Sequence, residues 1–234
     1  MSDPAMIITT QDDRVLTITL NRPEDLNPLS WQVLNEIADV LDTALHDNSV
    51  GVIVIGAAGK AFSTGYDLRE AHWITSQYPA NFDDHVDIRK DRDDVHVIVD
   101  YWMKLWRYPK PIIAKVQGDC LSGAGELLGV CDIAIVSEHA RFGHPAGRDL
   151  GIPPSIMFWP MLIGYRKTKE LLYTSRLISA HEAAKIGLVN EVVAHDQLDE
   201  TVAIMAAHIA RAPSDNLSIL KEVSNTWFEN MGME

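Results

Sequence analysis

The chain has 234 residues, of which 47% are hydrophobic and 23% charged, proportions typical of one large globular domain. Its formal net charge of −13 disfavours nucleic acid or an anionic membrane as the main partner, because either partner requires a basic face. Two cysteines, Cys120 and Cys131, are too few for a disulfide scaffold. The first residues lack a signal-peptide pattern, and no apolar run is long enough to span a bilayer. The sequence therefore predicts a cytoplasmic protein.

The N-terminal part of the chain alternates predicted strands with one long predicted helix. Residues 15–20 alternate apolar side chains with threonine and predict a half-buried strand, paired with residues 6–9 across a turn at Asp12 and Asp13. Ser30 is placed to cap a helix, because apolar residues recur after it at helical spacing: Trp31, Leu34, Ile37, Leu41 and Leu45. Residues 52–55 form a short continuous apolar run, which is typical of a strand covered on both faces.

The rest of the chain changes from strands to helices. Residues 112–116 and 133–136 predict two more buried strands, with a helix from about Ser122 between them. After Phe158 the pattern predicts helices over residues 167–173, 180–186, 198–211 and 216–228, interrupted by a strand at 189–193. No low-complexity linker separates these parts. The fold class predicted is α/β in a single domain.

The segment from Cys120 to Asp132 carries the strongest functional signal. It places several glycines and one carboxylate, Glu126, at the start of an apolar helix directly after a predicted strand. The first N–H groups of a helix lack intrahelical partners, so they can stabilise a developing negative charge. Glycines let a substrate approach the backbone, and Glu126 is close enough to act as an acid or base. The alternative is a tightly packed turn without a function.

Two other clusters favour structural interpretations. Residues 83–100 mix seven aspartates with arginine, lysine and histidine, and we interpret them as a solvated surface helix rather than a metal site. Trp102, Trp106 and Tyr108 have helical spacing, which predicts a buried stripe rather than an aromatic binding site.

Five ordered motifs together resemble the crotonase superfamily, the enoyl-CoA hydratase/isomerase family. They are the Cys120 segment and residues 20–30, 59–68, 110–114 and 140–143, and they are followed by a further match at 183–190. The resemblance implies a spiral of ββα units over residues 1–175 and a helical oligomerisation region over 176–234, in a trimer or a dimer of trimers. It also implies a coenzyme A thioester as substrate and no separate cofactor. The family usually continues through another helix, whereas this chain ends at Glu234, so the member is short or its tail is unseen.

The same resemblance assigns catalytic roles. The backbone N–H groups of Tyr66 and Gly123 match the two donors that form an oxyanion hole for a thioester enolate. Glu126 matches the first catalytic glutamate of the hydratases, which activates water. The second glutamate is missing, because Ala146 stands near its place, and Asp149 and His144 are the candidates to replace it.

Coenzyme A recognition is assigned to two loops. The matching positions are Arg22, Glu24, Asp25, Leu26, Lys60, Ala61, Phe62, Asp67 and Leu68. Arg22, Lys60 and Arg69 are the nearest cations for its phosphates, although surface cations are often only solvated. Tyr66, His72 and Trp73 fall in the acyl-binding region, which predicts an altered acyl pocket that the tyrosine partly closes.

The leading hypothesis from the sequence is a lyase that hydrates a 2-enoyl-CoA. An isomerase, or a thioester or carbon–carbon hydrolase, uses the same oxyanion hole and is the first alternative. A non-catalytic acyl-CoA-binding protein is the second, because one catalytic acid is missing.

Overall fold

A computed structural model of the chain describes residues 5–69 and 88–233. The strands within these residues are β1 (Ile7–Asp12), β2 (Val15–Leu20), β3 (Val52–Ala57), β4 (Ile112–Val116), β5 (Asp119–Leu121), β6 (Ile133–Ser137), β7 (Arg141–Gly143), β8 (Ile178–Ser179) and β9 (Glu191–Val193). The α-helices are α1 (Trp31–Leu45), α2 (Ile88–Trp106), α3 (Ala124–Val130), α4 (Pro145–Asp149), α5 (Trp159–Ile163), α6 (Tyr165–Thr174), α7 (Ala180–Lys185), α8 (Leu198–Ala210) and α9 (Ser214–Phe228). Single helical turns also form at Pro23–Asp25, His195–Gln197 and Glu229–Met233.

The larger sheet has the order β1-β2-β3-β4-β6-β9 and is parallel except for the β1–β2 pair. Its central strands are apolar on both faces, because successive side chains of a strand point to opposite sides. Ile53 and Ile55 of β3 pack into the core that contains α1 and α2, whereas Val52 and Val54 pack against α8. Burying one such side chain contributes roughly 1.5–3 kcal/mol to folding.

A smaller sheet, β5-β7-β8, brings two loop segments together. β5 and β7 are parallel neighbours, with Leu121 opposite Gly143. The segments that leave these strands, at Ser122 and His144, therefore emerge side by side, and the Ser122 N–H donates to the Gly143 carbonyl at 2.9 Å. Binding sites are common in the region just beyond the carboxyl ends of parallel strands.

Most predicted elements are confirmed, with shifts at their ends. Ser30 caps α1 by accepting a hydrogen bond from the Val33 N–H at 3.2 Å. The first strand extends to Asp12 rather than ending at Thr9, because it pairs with β2 over its whole length. The helix expected from Ser122 begins at Ala124, since Ser122 has a positive φ of 51°. The short elements β5, β7, β8, α4 and α5 were not predicted, because they have too few residues to show a period.

The predictions for the two clusters of chain residues 83–108 have different outcomes. Trp102, Trp106 and Tyr108 are all buried, which confirms the buried stripe. Residues 88–100 belong to α2, where Arg92 and Asp93 form an exposed ion pair, and residues 83–87 lie outside the described part of the chain.

The C-terminal helices α8 and α9 differ in their packing. α8 covers the second face of the larger sheet through Leu198, Val202 and Ala206. α9 is anchored by Lys221, whose ammonium contacts the Asp132 carboxylate at 2.8 Å, but other apolar side chains on it are exposed: Ile219, Leu220, Val223 and Trp227. The proposed role of residues 176–234 in oligomerisation stays a prediction, as does the boundary at residue 175. No helix in residues 5–69 or 88–233 has the length and apolarity needed to cross a membrane.

Candidate active site

The loop around Gly65 lies directly against the start of α3. The Ser63 N–H donates to the Asp119 carbonyl, and the Leu121 N–H donates to the Ser63 carbonyl, both at 3.0 Å. Gly65 then passes so close to Gly123 that an added Cβ at Gly65 would lie 2.8 Å from the Gly123 nitrogen. Gly65 also has a φ of +96°, which side chains other than glycine rarely adopt. Glycine at this position therefore allows the two loops to meet.

The backbone N–H groups of Tyr66 and Gly123 belong to these adjoining loops. Leu29 pairs with Gly65 and Asp67, since its N–H donates to the Gly65 carbonyl and its carbonyl accepts from the Asp67 N–H. Successive backbone groups of an extended chain point to opposite sides, so the Tyr66 N–H points away from Leu29. Gly123 precedes α3, and its N–H is therefore not used by the helix. This arrangement suits a pair of donors for one oxygen.

A cavity of about 330 Å³ opens in front of both residues. The described residues that line it are mainly apolar or small: Thr64, Tyr66, Leu68, Ser122, Gly123, His144, Pro145, Ala146, Asp149, Leu150, Ile152 and Pro153. Its size lies at the lower end of the range for small-molecule sites.

Glu126 lies beside this cavity but is not among its lining residues. It is 3% exposed, and one carboxylate oxygen accepts hydrogen bonds from the Tyr66 hydroxyl at 2.8 Å and from the Ser155 hydroxyl. The N–H groups of Ser155 and Ile156 donate at 3.3 and 3.4 Å. Burial raises the pKa of Glu126 to about 7, although these hydrogen bonds oppose the effect. The carboxyl group can therefore exchange a proton near neutral pH.

The side chain of Tyr66 separates Glu126 from the cavity. Its ring packs on the backbone of Gly123, where an added Cβ would come within 2.7 Å of the ring carbon Cε2. Its hydroxyl donates to Glu126 and accepts from the indole N–H of Trp102, also at 2.8 Å. Burial, and the negative charge of Glu126 after it, raise the pKa of Tyr66 above its ordinary value, so the phenol stays protonated.

Ser155 and the hydrogen bond of Trp102 are parts of the site that the sequence analysis missed. Ser155 lies in an irregular segment between α4 and α5, 29 residues after Glu126, so no periodic pattern connects the two. Trp102 was correctly predicted to be buried. A buried tryptophan usually finds an acceptor for its N–H, and that rule could have suggested a polar partner for it.

The candidates for the missing second acid have different surroundings. Ala146 and Asp149 both line the cavity, and the exposed Asp149 carboxylate lies 3.9 Å from the Arg148 guanidinium. His144 is buried, and its Nε2 lies 3.1 Å from the Ile152 carbonyl. Burial lowers the pKa of His144 below its ordinary value, so the imidazole is neutral at pH 7. Asp149 thus lines the cavity with an exposed carboxyl group, and His144 lines it as a neutral imidazole.

The two loops assigned to coenzyme A touch each other and are joined by one amide side chain, while a second amide supports the later loop. The buried Asn27 side chain accepts from the Arg22 N–H and donates to the carbonyls of Ala58 and Ala61. The Gln117 amide donates to the Ala57, Gly59 and Ala61 carbonyls as well. Neither amide was predicted to have a role, because in the sequence each is only a polar residue beside a loop. Ala61 and Phe62 are buried, so neither side chain is open to a ligand at the surface.

Four charged residues in and beside these loops form one network. Arg22 donates to Asp67 at 2.8 Å and to Asp25 at 3.0 Å, and Arg69 contacts the same two carboxylates. Burial of Asp67 raises its pKa, but hydrogen bonds from both arginines outweigh burial and lower the pKa below its ordinary value. The network therefore fixes the two arginines in place.

The remaining predicted positions are at the surface or outside the described residues. Glu24, Lys60 and Leu68 are exposed, and Leu26 is half-buried with a positive φ of 65°. His72 and Trp73, which were expected near the acyl group, lie outside the described part of the chain.

Replacing Ser155 with Ala is expected to raise the pKa of Glu126 by about one pH unit or more. The serine hydroxyl stabilises the ionised carboxylate, and a hydrogen bond to a charged group contributes about 1.5–3 kcal/mol. Carbon-13 NMR titration of the side-chain carboxyl groups measures this change. Ser224→Ala is the matched control, because the Ser224 hydroxyl only donates to Leu220 within its own helix. An unchanged Glu126 titration in the Ser155 variant would contradict the assignment.

The family model and three relatives that match this sequence are all described as hydratases of coenzyme A thioesters or as their family. A sequence model of the family "Enoyl-CoA hydratase/isomerase" matches residues 10–234. A probable enoyl-CoA hydratase of Mycobacterium bovis is 33% identical over 229 residues, which cover 96% of this chain and 82% of the relative. A probable mitochondrial enoyl-CoA hydratase of Dictyostelium discoideum is 35% identical, with coverage of 94% and 76%. A hydroxycinnamoyl-CoA hydratase-lyase of Pseudomonas fluorescens is 31% identical, with coverage of 94% and 79%.

Solved structures show the same relationship. A probable enoyl-CoA hydratase from Mycobacterium thermoresistibile superposes with a TM-score of 0.84 at 34% identity, covering 97% of this chain and 90% of that one. An enoyl-CoA hydratase/isomerase from Xanthobacter autotrophicus Py2 gives a TM-score of 0.87 at 34% identity, with coverage of 97% and 81%. The predicted crotonase-like α/β fold is confirmed by these superpositions.

Proposed function

The chain belongs to the enoyl-CoA hydratase/isomerase family, and on this basis we propose that it adds water to the double bond of a 2-enoyl-CoA thioester. The observation that carries the proposal is the position of Glu126. This carboxyl group, with a pKa of about 7, lies one helical turn beyond Gly123 and is linked to the cavity by the Tyr66 hydroxyl. An acid or base with a pKa near the working pH transfers protons most effectively.

The backbone N–H groups of Tyr66 and Gly123 are proposed to bind the thioester oxygen. Both residues line the cavity, and their loops are in contact. When water adds to the β-carbon, the electron pair of the double bond moves towards the thioester oxygen, and the two donors stabilise the enolate. One such donor contributes roughly 3 kcal/mol to transition-state stabilisation.

Glu126 is proposed to take the proton of water through Tyr66. The Tyr66 hydroxyl donates to Glu126 and belongs to a residue that lines the cavity, so it lies between the carboxylate and the substrate. As the water oxygen bonds to the β-carbon, its proton passes to the Tyr66 oxygen while the phenol proton passes to Glu126. Protonation of the α-carbon completes the addition. Asp149, protonated from solvent, is the proposed proton donor, and His144 is the second candidate because it also lines the cavity. Glu126 then releases its proton to solvent.

Coenzyme A is proposed to bind as part of the substrate, along the backbone of residues 24–26 and 60–62. The support is the contact between these two loops and the fixed arginines beside them. Assembly as a homotrimer or a dimer of trimers, and a cytoplasmic location, are proposed from the family alone.

The direct test is a reaction in water enriched in oxygen-18. The purified protein with short trans-2-enoyl-CoA esters is expected to give hydroxyacyl-CoA products that carry one heavy oxygen, measured by mass spectrometry. A product without heavy oxygen, or no product from any ester of the panel, would contradict hydration.

Isomerisation is a second candidate, favoured by one observation: Asp149 reaches the cavity directly, whereas Glu126 does not line it. An isomerase that moves a proton with Asp149 is expected to lose about a hundredfold or more of its activity in Asp149→Asn, without incorporating heavy oxygen. Hydration as proposed above also uses Asp149 for the α-carbon proton, so the incorporation of heavy oxygen, rather than the size of the loss, separates the two reactions. Asp93→Asn is the matched control, because Asp93 also pairs with the preceding arginine on the surface.

A further inference from the structure

We propose that the side chain of Tyr66 forms the inner wall of the acyl pocket and restricts the enzyme to short acyl groups such as butyryl. This inference rests on the proposed function, since it concerns the acyl chain of the same thioester. It assigns to the phenol ring a role in specificity that is separate from the backbone N–H of the same residue.

The position of the ring makes it a wall. Tyr66 lines the cavity, and its ring covers Gly123 so closely that no Cβ fits between them. A thioester whose oxygen reaches the Gly123 N–H therefore has the ring beside its first carbons. Glu126, which the ring contacts through its hydroxyl, borders a gap with Ile156, Met157 and Trp159 that is too narrow for a water molecule. Among residues 5–69 and 88–233, this side of the ring therefore has no space for further methylene groups.

Hydrogen bonds hold the ring in this position. The hydroxyl lies 2.8 Å from both Glu126 and the Trp102 indole nitrogen, and 3.2 Å from the Ser155 hydroxyl. Trp102 is fully buried, so its N–H finds no water if Tyr66 moves away. An unsatisfied buried donor is costly, and a long acyl chain can displace the ring only at that cost. The ring is therefore a fixed wall rather than a mobile side chain.

The size of the cavity agrees with a short acyl group. Its volume of about 330 Å³ must hold the thioester and the end of the pantetheine arm before any acyl carbon is added. Methylene groups that do not fit into the pocket stay in water, so a longer acyl chain gains no binding free energy from their burial.

The experiment measures binding of saturated acyl-CoA esters, which need no turnover. Isothermal titration calorimetry gives Kd for acetyl-, butyryl-, hexanoyl- and octanoyl-CoA with the wild-type chain, Tyr66→Phe and Tyr66→Ala. The wild-type chain is expected to bind butyryl-CoA more tightly than octanoyl-CoA. Tyr66→Ala is expected to lower the ratio of Kd for octanoyl-CoA to Kd for butyryl-CoA by about tenfold or more. Tyr66→Phe is expected to lower this ratio by less, because it keeps the ring and removes only its hydrogen bonds.

Two results would contradict the proposals. An unchanged ratio in Tyr66→Ala overturns the inference and leaves the proposed function intact. A wild-type chain that binds no acyl-CoA overturns the proposed function itself. Tyr101→Ala is the matched control, because Tyr101 packs edge-on against Trp102 with ring centroids 5.0 Å apart but is not among the lining residues of the cavity. Circular dichroism verifies that each variant is folded before its Kd is compared.

Discussion

Replacing Glu126 with Gln is expected to lower kcat for enoyl-CoA hydration by about 10²- to 10⁴-fold, with little change in KM. Gln has nearly the same shape and can remain hydrogen-bonded to Tyr66 and Ser155, but it cannot accept a proton. Thioester binding depends instead on the backbone N–H groups and the coenzyme A loops. Steady-state kinetics with a short trans-2-enoyl-CoA ester measures both constants, and equal turnover by the two proteins would remove Glu126 from the mechanism.

The stability of the same variant supplies a control that does not depend on activity. In the folded chain the pKa of Glu126 is raised from 4.5 to about 7, so ionisation destabilises the fold as the pH rises through this interval. The wild-type chain is expected to lose on the order of 3 kcal/mol through this group between these pH values, and E126Q lacks this loss. Urea unfolding of both proteins at several pH values measures the difference. Parallel stability curves would contradict the burial of an ionisable group at this position.

Replacing Gly65 with Ala is expected to reduce kcat by about 10²- to 10³-fold and to destabilise the fold by on the order of 3 kcal/mol. The added Cβ would lie 2.8 Å from the Gly123 nitrogen and 2.9 Å from the Leu121 carbonyl oxygen, and backbone atoms cannot move aside as a flexible side chain does. The loops of Tyr66 and Gly123 would separate, so their N–H groups could not bind one oxygen together. Enzyme kinetics and thermal unfolding measure the two effects.

Gly164→Ala is the control that separates the two effects of an added Cβ, namely steric collision with neighbouring atoms and strain of the backbone. Gly164 also has a positive φ, at +79°, but nothing lies within 4 Å of its added Cβ. This control is expected to lose about 1–3 kcal/mol of stability through backbone strain alone, because its ψ of 155° lies in a region that is nearly restricted to glycine, and to keep its activity. If both variants lost activity equally, close contact of the two loops would not be the cause.

Much of the fold could be predicted because its elements have regular patterns. The helix that begins after Ser30 and the buried strands at 52–57 and 112–116 were visible as apolar periods of 3.6 or as continuous runs. The short strands β5 and β7 were not visible, although they bring Ser122 and His144 side by side. A strand of three residues has no period, and its formation depends on a partner distant in sequence.

The sequence alone determined the family, the glycine-rich helix start, and the carboxylate one turn beyond it. The family follows from the order of several motifs along the chain, whereas the helix start and its carboxylate depend on residues that are close together, where spacing fixes their relative positions. Only the tertiary structure decided that Tyr66 covers Glu126 and that Trp102 and Ser155 hold it there, because these contacts join residues separated by 29 to 60 positions. The raised pKa of Glu126 is a tertiary property for the same reason, since it arises from burial by segments that no local pattern brings together.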